Sequence, residues 1–251
     1  MSIPVFVINL DRNPERLAAV NASAAEFGVD LIRVPAVDGR ALAGAYPSTV
    51  DVAAFENRNG RTILPAEVGC YLSHIEALRL AAQHPADIAC IVEDDVIFSS
   101  AFNKFVSCID ELSDWDLIKL VNHRTKGFRV KGRAGDGTLI GRCVHGPSGS
   151  SAAYLVRRRA VAKLVQGLLP MTTPYDVALE RGWETGVESY CTNVALVGLA
   201  ADEASSIGTR ETYRKTKFPF YRRLGALRFR SLEYLRRLSF ALSGNQVRSG
   251  K

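Results

Sequence analysis

Residues 88–95 read Ile-Ala-Cys-Ile-Val-Glu-Asp-Asp, so a short apolar run passes directly into three carboxylates. Such a run is typical of a strand buried on both faces, as in parallel sheets covered by helices. Similar runs recur along the chain, at 5–10, 31–34, 116–121, 152–156 and 194–199. Helix-like segments separate them, so we predict an α/β fold, an α/β/α sandwich with a mostly parallel central sheet.

The helices are predicted from capping residues and from apolar positions repeated at helical spacing. Asn13-Pro14 can begin a first helix, and Gly28 can end it. The other predicted helices cover 65–83, 101–112, 158–168 and a short segment from Thr173-Pro174 to Gly182. We predict loops or a hairpin over 122–150. Residues 38–62 are predicted as a long loop of the kind that often closes over a site.

The three carboxylates at 93–95 are the strongest chemical signal. In an extended strand, Glu93 and Asp95 point to one side and Asp94 to the other. Like charges this close repel one another, and burial would raise their pKa values. A divalent cation offsets both effects, and oxygen ligands suit Mg²⁺ or Mn²⁺. We therefore predict Glu93 and Asp95 as metal ligands at the carboxyl end of a strand, with a solvated acidic turn as the alternative.

Polar residues also follow the first strand. Asn9, Leu10, Asp11 and Arg16 lie where that strand ends and the next helix begins. A helix N-terminus is a natural position for an anion or a nucleotide. The alternative is plain helix capping by Asp11 or Asn13.

Two further positions are candidates for catalysis or binding. Asp176 is the first candidate for a general base, with Glu184 and Glu188 as rivals. The alternative for Asp176 is a structural role, because it follows Thr173 at the spacing of a capping box. His74, in the helix at 65–83, is either a functional group or a buried histidine with satisfied hydrogen bonds.

The charge is unevenly distributed. The chain of 251 residues has a net charge of +6, and residues 210–251 alone carry +10, which leaves −4 for 1–209. A basic charge confined to one end argues against a nucleic-acid-binding domain. We predict a domain at 1–209 and a basic amphipathic tail at 210–251. Leucines, aromatics and arginines alternate over 210–238, which suits an anionic membrane surface, at about 1 kcal/mol per basic residue. A helix packed on the core and an RNA-binding tail are the alternatives.

The sequence also predicts where the protein acts. The chain begins without a recognisable secretion signal, and no uncharged run approaches the roughly 20 residues that span a bilayer. The five cysteines form no Cys-x-x-Cys pair, which fits a reducing compartment. We expect a cytoplasmic protein that is peripheral on the inner face of the cytoplasmic membrane.

Several short motifs, taken together and in order, resemble glycosyltransferase family 25, the group of lipooligosaccharide β-1,4-galactosyltransferases and collagen galactosyltransferases. Each motif is weak alone, and the resemblance covers roughly residues 3–209, which excludes the basic tail. The matching segments are Val7–Arg12 with Arg16, Ala36–Gly39, Glu67–His74, Ile91–Asp95, Ala153–Leu155, Pro174–Asp176 and Ser205–Ile207.

The resemblance implies a GT-A-type fold, a Rossmann-like sheet that binds a UDP-sugar, and transfer with inversion at the anomeric carbon. It also implies that Glu93-Asp94-Asp95 is an Asp-x-Asp-like metal site, with Glu in place of the first Asp. The stretch immediately before Ser205 offers Asp202 and Glu203 as further ligands but contains no obvious histidine for that role. The residues that the resemblance places near the nucleotide-sugar are Asn9, Leu10, Asp11, Arg16, Asp38, Ser73, His74 and Asp94.

The expected function is that of a metal-dependent hexosyltransferase using Mn²⁺ or Mg²⁺. It would move a hexose, galactose being the family's common choice, from a UDP-sugar to a lipopolysaccharide or lipooligosaccharide core or another lipid-linked envelope glycan. Asp176 or Glu188 would be the catalytic carboxylate. Two alternatives are a metal-dependent nucleotide-sugar phosphohydrolase and a catalytically inactive, membrane-associated carbohydrate-binding protein. The sequence alone leaves open the sugar, the acceptor, the linkage and the oligomeric state.

Overall fold

The computed structural model describes residues 3–200 and 210–249, so the predicted motif at Ser205–Ile207 and the acids Asp202 and Glu203 lie outside the described residues. The strands are β1 (Val5–Asn9), β2 (Leu31–Pro35), β3 (Ile88–Glu93), β4 (Val96–Ile97), β5 (Leu112–Ser113), β6 (Leu117–Lys119), β7 (Phe128–Arg133), β8 (Leu139–Cys143), β9 (Ala153–Arg157), β10 (Ser189–Thr192), β11 (Gly198–Leu199) and β12 (Arg248–Ser249). Five of the six predicted apolar runs form strands of the central sheet, namely β1, β2, β3, β6 and β9.

The helices begin and end close to the predicted punctuation, and Pro14 and Pro65 each occupy the first turn of a helix. Two short 3₁₀ helices cover Ile109–Glu111 and Phe220–Arg223. The α-helices are α1 (Pro14–Glu26), α2 (Val52–Asn59), α3 (Pro65–Gln83), α4 (Ser100–Ser107), α5 (Arg158–Leu168), α6 (Tyr175–Leu179), α7 (Gly182–Thr185), α8 (Arg210–Lys215) and α9 (Leu224–Leu242).

The central sheet has eight strands in the described part of the chain, in the order β2-β1-β3-β9-β6-β10-β8-β7. β1 is parallel to β2 and β3, and β6 is parallel to β10. β9 is antiparallel to β3 and β6, and β8 is antiparallel to β10 and β7. Six of the eight strands therefore run in one direction, which confirms the mostly parallel sheet. The reversed strand β9 brings its beginning to the edge at which β1 and β3 end.

Helices cover both faces of this sheet, because alternate residues of each buried strand point to opposite sides. Val5 and Val7 pack in one core with residues of α1 and α4. Phe6 and Ile8 pack in a second core with residues of α3 and α5. The two cores confirm the predicted α/β/α sandwich.

Two predicted segments differ from the structure. The prediction of a continuous loop over 38–62 is wrong, since α2 forms within it: the Asp51 side chain accepts a hydrogen bond from Ala54 N at 2.9 Å, and Gly60 ends the helix at φ +67°. A helix this short, with only Phe55 buried, gives little periodic signal. The predicted strand at 194–199 is reduced to β11, and β10 takes its place in the sheet.

The described part of the basic C-terminal segment packs against the rest of the protein. Ala226, Glu233, Arg237 and Ala241 of α9 are buried, and β12 pairs with β5. The alternative of a helix packed on the core therefore describes α9. None of the described helices combines the length and the apolar character that crossing a bilayer requires.

Candidate functional site

The acidic triplet lies at the carboxyl edge of the sheet. Glu93 is the last residue of β3, and Asp94 and Asp95 form the turn before β4. The predicted alternation of the three side chains along one strand is therefore wrong, because the strand ends after the first of them. Glu93 N donates to Ala152 O at 2.8 Å, which joins the triplet to the residues that precede β9.

Glu93 is held by groups from α3 and from the start of β9. Ser151 Oγ donates to Glu93 Oε1 at 2.8 Å, and His74 Nε2 lies 3.3 Å from the same oxygen. Burial raises the pKa of Glu93, but His74, Ser151 and the charge of Arg16 together hold that pKa below its ordinary value. Glu93 is therefore an oriented, charged carboxylate.

His74 is a supporting residue of this site. Its side chain is 1% exposed, its Nδ1 lies 3.2 Å from Tyr154 Oη, and its ring stacks on Tyr175 with centroids 4.1 Å apart. Both ring nitrogens therefore have neighbours, and the ring is fixed by aromatic packing. The two alternatives predicted for His74 both apply in part. The ring is buried with polar neighbours at both nitrogens, and it also contacts Glu93 of the acidic triplet.

Asp94 joins the triplet to the first strand and the first helix. Arg16 Nη2 lies 2.8 Å from Asp94 Oδ1, and Asn9 Nδ2 donates to Asp94 Oδ2 at 2.7 Å. Arg33 Nε in turn donates to Asn9 Oδ1 at 3.2 Å. The structure thus brings together Asn9, Arg16 and Asp94, three of the residues predicted to lie near a nucleotide-sugar.

Asp95 has the properties of a cation ligand. Burial and the charge of Glu93 raise its pKa to about 6, although Arg16 opposes them. Its Oδ1 atom is buried and has no hydrogen-bond partner among the described residues. A buried carboxylate oxygen without a donor, beside a second carboxylate, fits the oxygen ligand set of Mg²⁺ or Mn²⁺.

One group of three possible ligand atoms gathers within the described chain, and it shares Glu93 with the acidic triplet but does not include Asp95. Ligand atoms of Cys70, His74 and Glu93 lie within 4.8 Å of one another. Burial and four neighbouring acids raise the pKa of the Cys70 thiol well above its ordinary value. Because metals bind the thiolate, a thiol held protonated is a poor ligand, and the carboxylates remain the better candidates.

Two clefts open beside the triplet, and Glu93 and Cys70 line both. The first cleft, of about 580 Å³, lies between the end of β1, residues 36–39 and α3. Asp11 is not part of it, because its side chain is 82% exposed and pairs with Arg33. The residues predicted near a nucleotide-sugar that line this cleft are Leu10, Arg16, Asp38, Ser73, His74 and Asp94.

One wall of the first cleft is fixed by contacts that the sequence did not reveal. Ser73 Oγ accepts a hydrogen bond from Val37 N at 2.8 Å and donates to Gly69 O at 2.6 Å. Asp38 pairs with Arg12 across the cleft rim. The Ser73 hydroxyl therefore joins α3 to the 36–39 segment, which is a structural role.

The second cleft, of about 790 Å³, contains Asp176 together with Glu93 and Asp95. Burial and Glu180 raise the pKa of Asp176, although Lys119 opposes them. No side chain caps the N-terminus of α6, so the capping-box alternative for Asp176 is not met. Asp176 thus lies on the same cleft as the two candidate metal ligands.

Glu188 and Glu184 lie elsewhere and line neither cleft. Glu188 accepts hydrogen bonds from Arg142 Nη2 at 2.5 Å and from Tyr190 Oη at 2.9 Å. Glu184 pairs with Arg236 at the surface. Neither residue is placed to act with the triplet, because each pairs with an arginine that lines neither cleft.

The sequence did not predict the network of buried charged side chains behind α6. Glu180 accepts from Lys119 Nζ at 2.7 Å, from Arg237 Nη1 at 2.7 Å and from Ser148 Oγ at 2.6 Å. These groups hold the pKa of Glu180 at about 2 despite burial. The one available signal was Lys119 itself, a charge inside an apolar strand that requires a buried partner.

Carboxylates at the strand ends of a three-layer α/β/α sandwich, beside two clefts, define an α/β protein with a candidate ligand site at the carboxyl edge of its sheet. The chain belongs to glycosyltransferase family 25 (LPS biosynthesis protein), whose family profile matches residues 2–179.

Three curated relatives illustrate the range of this family. A glycosyltransferase 25 family member of Aedes aegypti is 28% identical over 170 residues, covering 64% of this chain and 28% of the relative. Human inactive glycosyltransferase 25 family member 3 is 32% identical over 170 residues, with the same coverages of 64% and 28%. Human procollagen galactosyltransferase 2 is 27% identical over 129 residues, covering 48% and 21%. The chain thus spans less than a third of the length of these relatives.

Two solved structures are also similar, though distantly. The inositol-1-phosphate CTP transferase from T. maritima has 11% identity and a TM-score of 0.43, with 85% of this chain and 95% of that chain covered. The galactosyltransferase LgtC in complex with donor and acceptor sugar analogs has 15% identity and a TM-score of 0.40, with 92% and 95% covered. Likenesses at this level carry no argument about function.

Proposed function

We propose that this protein is an inverting, metal-dependent hexosyltransferase that moves galactose, or another hexose, from a UDP-sugar to an envelope glycan. The acceptor we propose is a lipopolysaccharide or lipooligosaccharide core. The observation that carries the proposal is the meeting of Glu93, Asp95 and Asp176 on one cleft. Membership of a glycosyltransferase family supports the reaction class.

The first cleft suits the donor. It adjoins the triplet through Glu93 and lies at the carboxyl edge of the sheet, where α/β folds bind nucleotides. Leu10 and Asp38 line its walls. Glu93 and Asp95 would hold Mn²⁺ or Mg²⁺, which would neutralise the negative charge on the departing diphosphate.

The second cleft suits the acceptor, with Asp176 as the general base. A base must lie within hydrogen-bond reach of the hydroxyl it deprotonates, and it works best when its pKa is not far below the working pH. Burial raises the pKa of Asp176 in that direction. His74 and Ser151 keep Glu93 oriented between the two clefts.

The outer side of α9 supports a peripheral location. Leu224, Leu232 and Leu235 are exposed there, the last by 60%, and Arg222 is exposed two residues before Leu224. Exposed leucines beside basic residues suit an anionic lipid surface. We therefore propose that the protein is cytoplasmic and binds the inner face of the cytoplasmic membrane, where a lipid-linked acceptor would be held.

The decisive test compares Asp95→Asn with Asp30→Asn, an exposed acid that lies outside both clefts. UDP binding is measured by calorimetry with and without Mn²⁺. Nucleotide sugars are then screened against lipid-linked core oligosaccharides, with products read by mass. We expect Asp95→Asn to abolish Mn²⁺-dependent UDP binding and transfer, while Asp30→Asn matches the parent. Transfer retained by Asp95→Asn would refute the metal role.

The second candidate is a catalytically inactive carbohydrate-binding protein. One human relative, 32% identical to this chain, is named an inactive family member. It predicts no Mn²⁺-dependent affinity for UDP and no transfer in the same screen. The phosphohydrolase alternative predicts cleavage of the nucleotide-sugar without an acceptor. Product analysis with and without acceptor separates these candidates from a transferase.

A further inference from the structure

A third cavity, of about 860 Å³, opens from the acceptor side of the site. It shares Pro174 and Tyr213 with the second cleft, and it shares no lining residue with the first. It lies between the end of α2, the segment after α8 and the start of α9. We call it the basic cavity, and its walls include Gly60, Arg61, Lys217, Phe220, Arg223 and Arg230.

The charge of this cavity is unbalanced. Four lining side chains are basic and none is acidic. Arg61 is neutralised by Glu67, whose two carboxylate oxygens accept from its guanidinium at 2.5 and 2.7 Å. Lys217, Arg223 and Arg230 form no ion pair with any residue in 3–200 or 210–249. Three cations in one cavity therefore lack a counter-charge among the described residues.

Arg223 shows most clearly that a partner is missing. Its Nε atom is buried and has no hydrogen-bond partner in the described chain. Its side chain packs on Gly60, where an added Cβ would lie 3.0 Å from Arg223 Cγ, and near the ring of Phe220 at 5.8 Å. A buried guanidinium N–H without an acceptor is unfavourable, and carboxylate or phosphate oxygens match its fork geometry.

The remaining walls suit a carbohydrate rather than a free ion. Tyr213, Phe220 and Leu227 offer apolar and aromatic surface beside the basic groups. Ligand sites typically combine such surface with a few polar groups that fix orientation. A sugar ring can pack on the apolar surface while a negative group on that sugar pairs with the basic side chains.

We propose that the basic cavity binds an anionic substituent, a phosphate or a carboxylate, on a sugar of the acceptor glycan. This inference rests on the proposed function, since it assigns the second cleft to the acceptor. Pro174 belongs to both spaces and is two residues from Asp176, so a group bound in the basic cavity belongs to the molecule whose hydroxyl faces that base. The acceptor is therefore an acidic glycan, and Arg223 and Arg230 select it.

The test uses the full chain and three sugars: glucose 6-phosphate, glucuronate and glucose, titrated at fixed ionic strength by ligand-detected NMR. We expect at least one acidic sugar to bind about tenfold more tightly than glucose, as one charge-assisted hydrogen bond would give. Whichever of glucose 6-phosphate and glucuronate binds more tightly shows whether the cavity recognises a phosphate or a carboxylate. Arg223→Gln and Arg230→Gln should each remove most of this preference.

Arg228→Gln is the matched control, because Arg228 is exposed on the same helix and lines no part of the cavity. Lys217→Gln, at an exposed position, serves as a further variant if Arg223→Gln fails to fold in thermal unfolding. Equal binding of the three sugars, or equal losses in Arg228→Gln and Arg230→Gln, would overturn the proposal.

Mn²⁺-dependent UDP binding is measured on the same samples. If the parent does not bind UDP, the proposed function fails, and the sugar titration still reports on the cavity. If Arg223→Gln or Arg230→Gln weakens UDP binding and leaves the acidic sugars unaffected, the cavity belongs to the donor and the inference is wrong.

Discussion

Glu93 and Asp95 are two residues apart, yet their surroundings move their pKa values in opposite directions. Glu93 accepts from Ser151 and faces His74, which favour its charged form. Asp95 has a buried oxygen without a donor in the described chain, and the negative charge of Glu93 raises the pKa of Asp95. One carboxylate is thus stabilised by hydrogen bonds, whereas the other has Arg16 Nη2 at 3.5 Å from its Oδ2 and keeps its buried Oδ1 open to a further positive ligand.

Asp176→Asn tests the proposed base. Asparagine keeps the shape of the side chain but cannot take up a proton, so kcat should fall by about 100-fold or more. The KM for the UDP-sugar should change little, because the first cleft is intact. Steady-state kinetics with saturating acceptor measure both constants.

The control for Asp176→Asn is Glu184→Gln, which alters a surface acid that the sequence offered as a rival. We expect it to retain the parent kcat. A kcat for Asp176→Asn within a factor of about three of the parent would assign the proton transfer to another group.

At this scale the sequence singled out the acidic triplet and Asp176, and the structure places Glu93, Asp95 and Asp176 on one cleft, while their roles stay predictions. It could not predict the role of Ser151, which reaches Glu93 only because β9 runs against β3. The basic cavity was likewise invisible, since Gly60 and Arg230 meet only when α9 packs on α2.

Among the elements, α3 is fixed to the 36–39 segment by two glycines in close contact. A Cβ on Gly69 would lie 2.5 Å from Val37 O, and one on Gly39 would lie 1.7 Å from Pro65 O. Only residues without a side chain allow this approach. Both contacting segments line the first cleft, so the glycines set its width.

Gly69→Ala should therefore loosen the donor cleft. The added methyl must push α3 away from Val37 O, which we expect to lower the free energy of unfolding by about 1–3 kcal/mol. The displaced wall should also weaken Mn²⁺-dependent UDP binding. Chemical denaturation and calorimetry measure the two effects.

Gly198→Ala is the control for this change, because a Cβ there would meet Ile97 Cβ at an ordinary 3.4 Å. We expect it to alter neither quantity appreciably. If Gly69→Ala binds UDP as tightly as the parent, the two glycines do not control the cleft.

The elements that were predicted correctly are those whose own residues supply the signal. The buried run of β3 and the Pro-started helices α1 and α3 are examples. The helix α2 was missed because its stability comes from packing against α9, a contact between distant segments. Strand direction was also beyond the sequence, since β9 is as apolar as β3 and β6, to which it is antiparallel.

In the whole molecule, α9 is joined to the body by buried ion pairs. Arg237 contacts Glu180 at 2.7 Å, and Arg181 contacts Glu233 at 2.8 Å. Breaking such a pair on one side leaves a buried charge without a partner, which is strongly destabilising. The basic charge that suggested a separate tail thus serves partly to attach the last helix.

Glu180→Gln should change how stability depends on pH. The pKa of Glu180 falls from 4.5 to about 2 on folding, so its charge stabilises the fold above 4.5. That stability is lost as the pH falls from 4.5 towards about 2. At neutral pH the variant should lose about 3 kcal/mol, and its stability should vary less across that acidic window. Denaturant unfolding at several pH values measures both.

Glu76→Gln is the control, since Glu76 pairs with Arg79 at the surface. Exposed pairs contribute little, so we expect a change below about 1 kcal/mol and an unaltered pH dependence. If the free energy of unfolding falls equally with decreasing pH in the parent and in Glu180→Gln, the network does not couple folding to proton uptake.

Lys119, Glu180 and Arg237 also constrain how the protein is made. Successive members of this trio are 61 and 57 positions apart, so the ribosome releases Lys119 and Glu180 long before Arg237. Until then Trp183 lacks the ring of Phe240, which lies 5.6 Å away in the finished fold. A nascent chain without α9 therefore leaves the Lys119–Glu180 pair and one side of Trp183 uncovered behind α6. We expect this surface to stay open to water until α9 packs against it, so the segment around α6 should reach its final packing only after synthesis of α9.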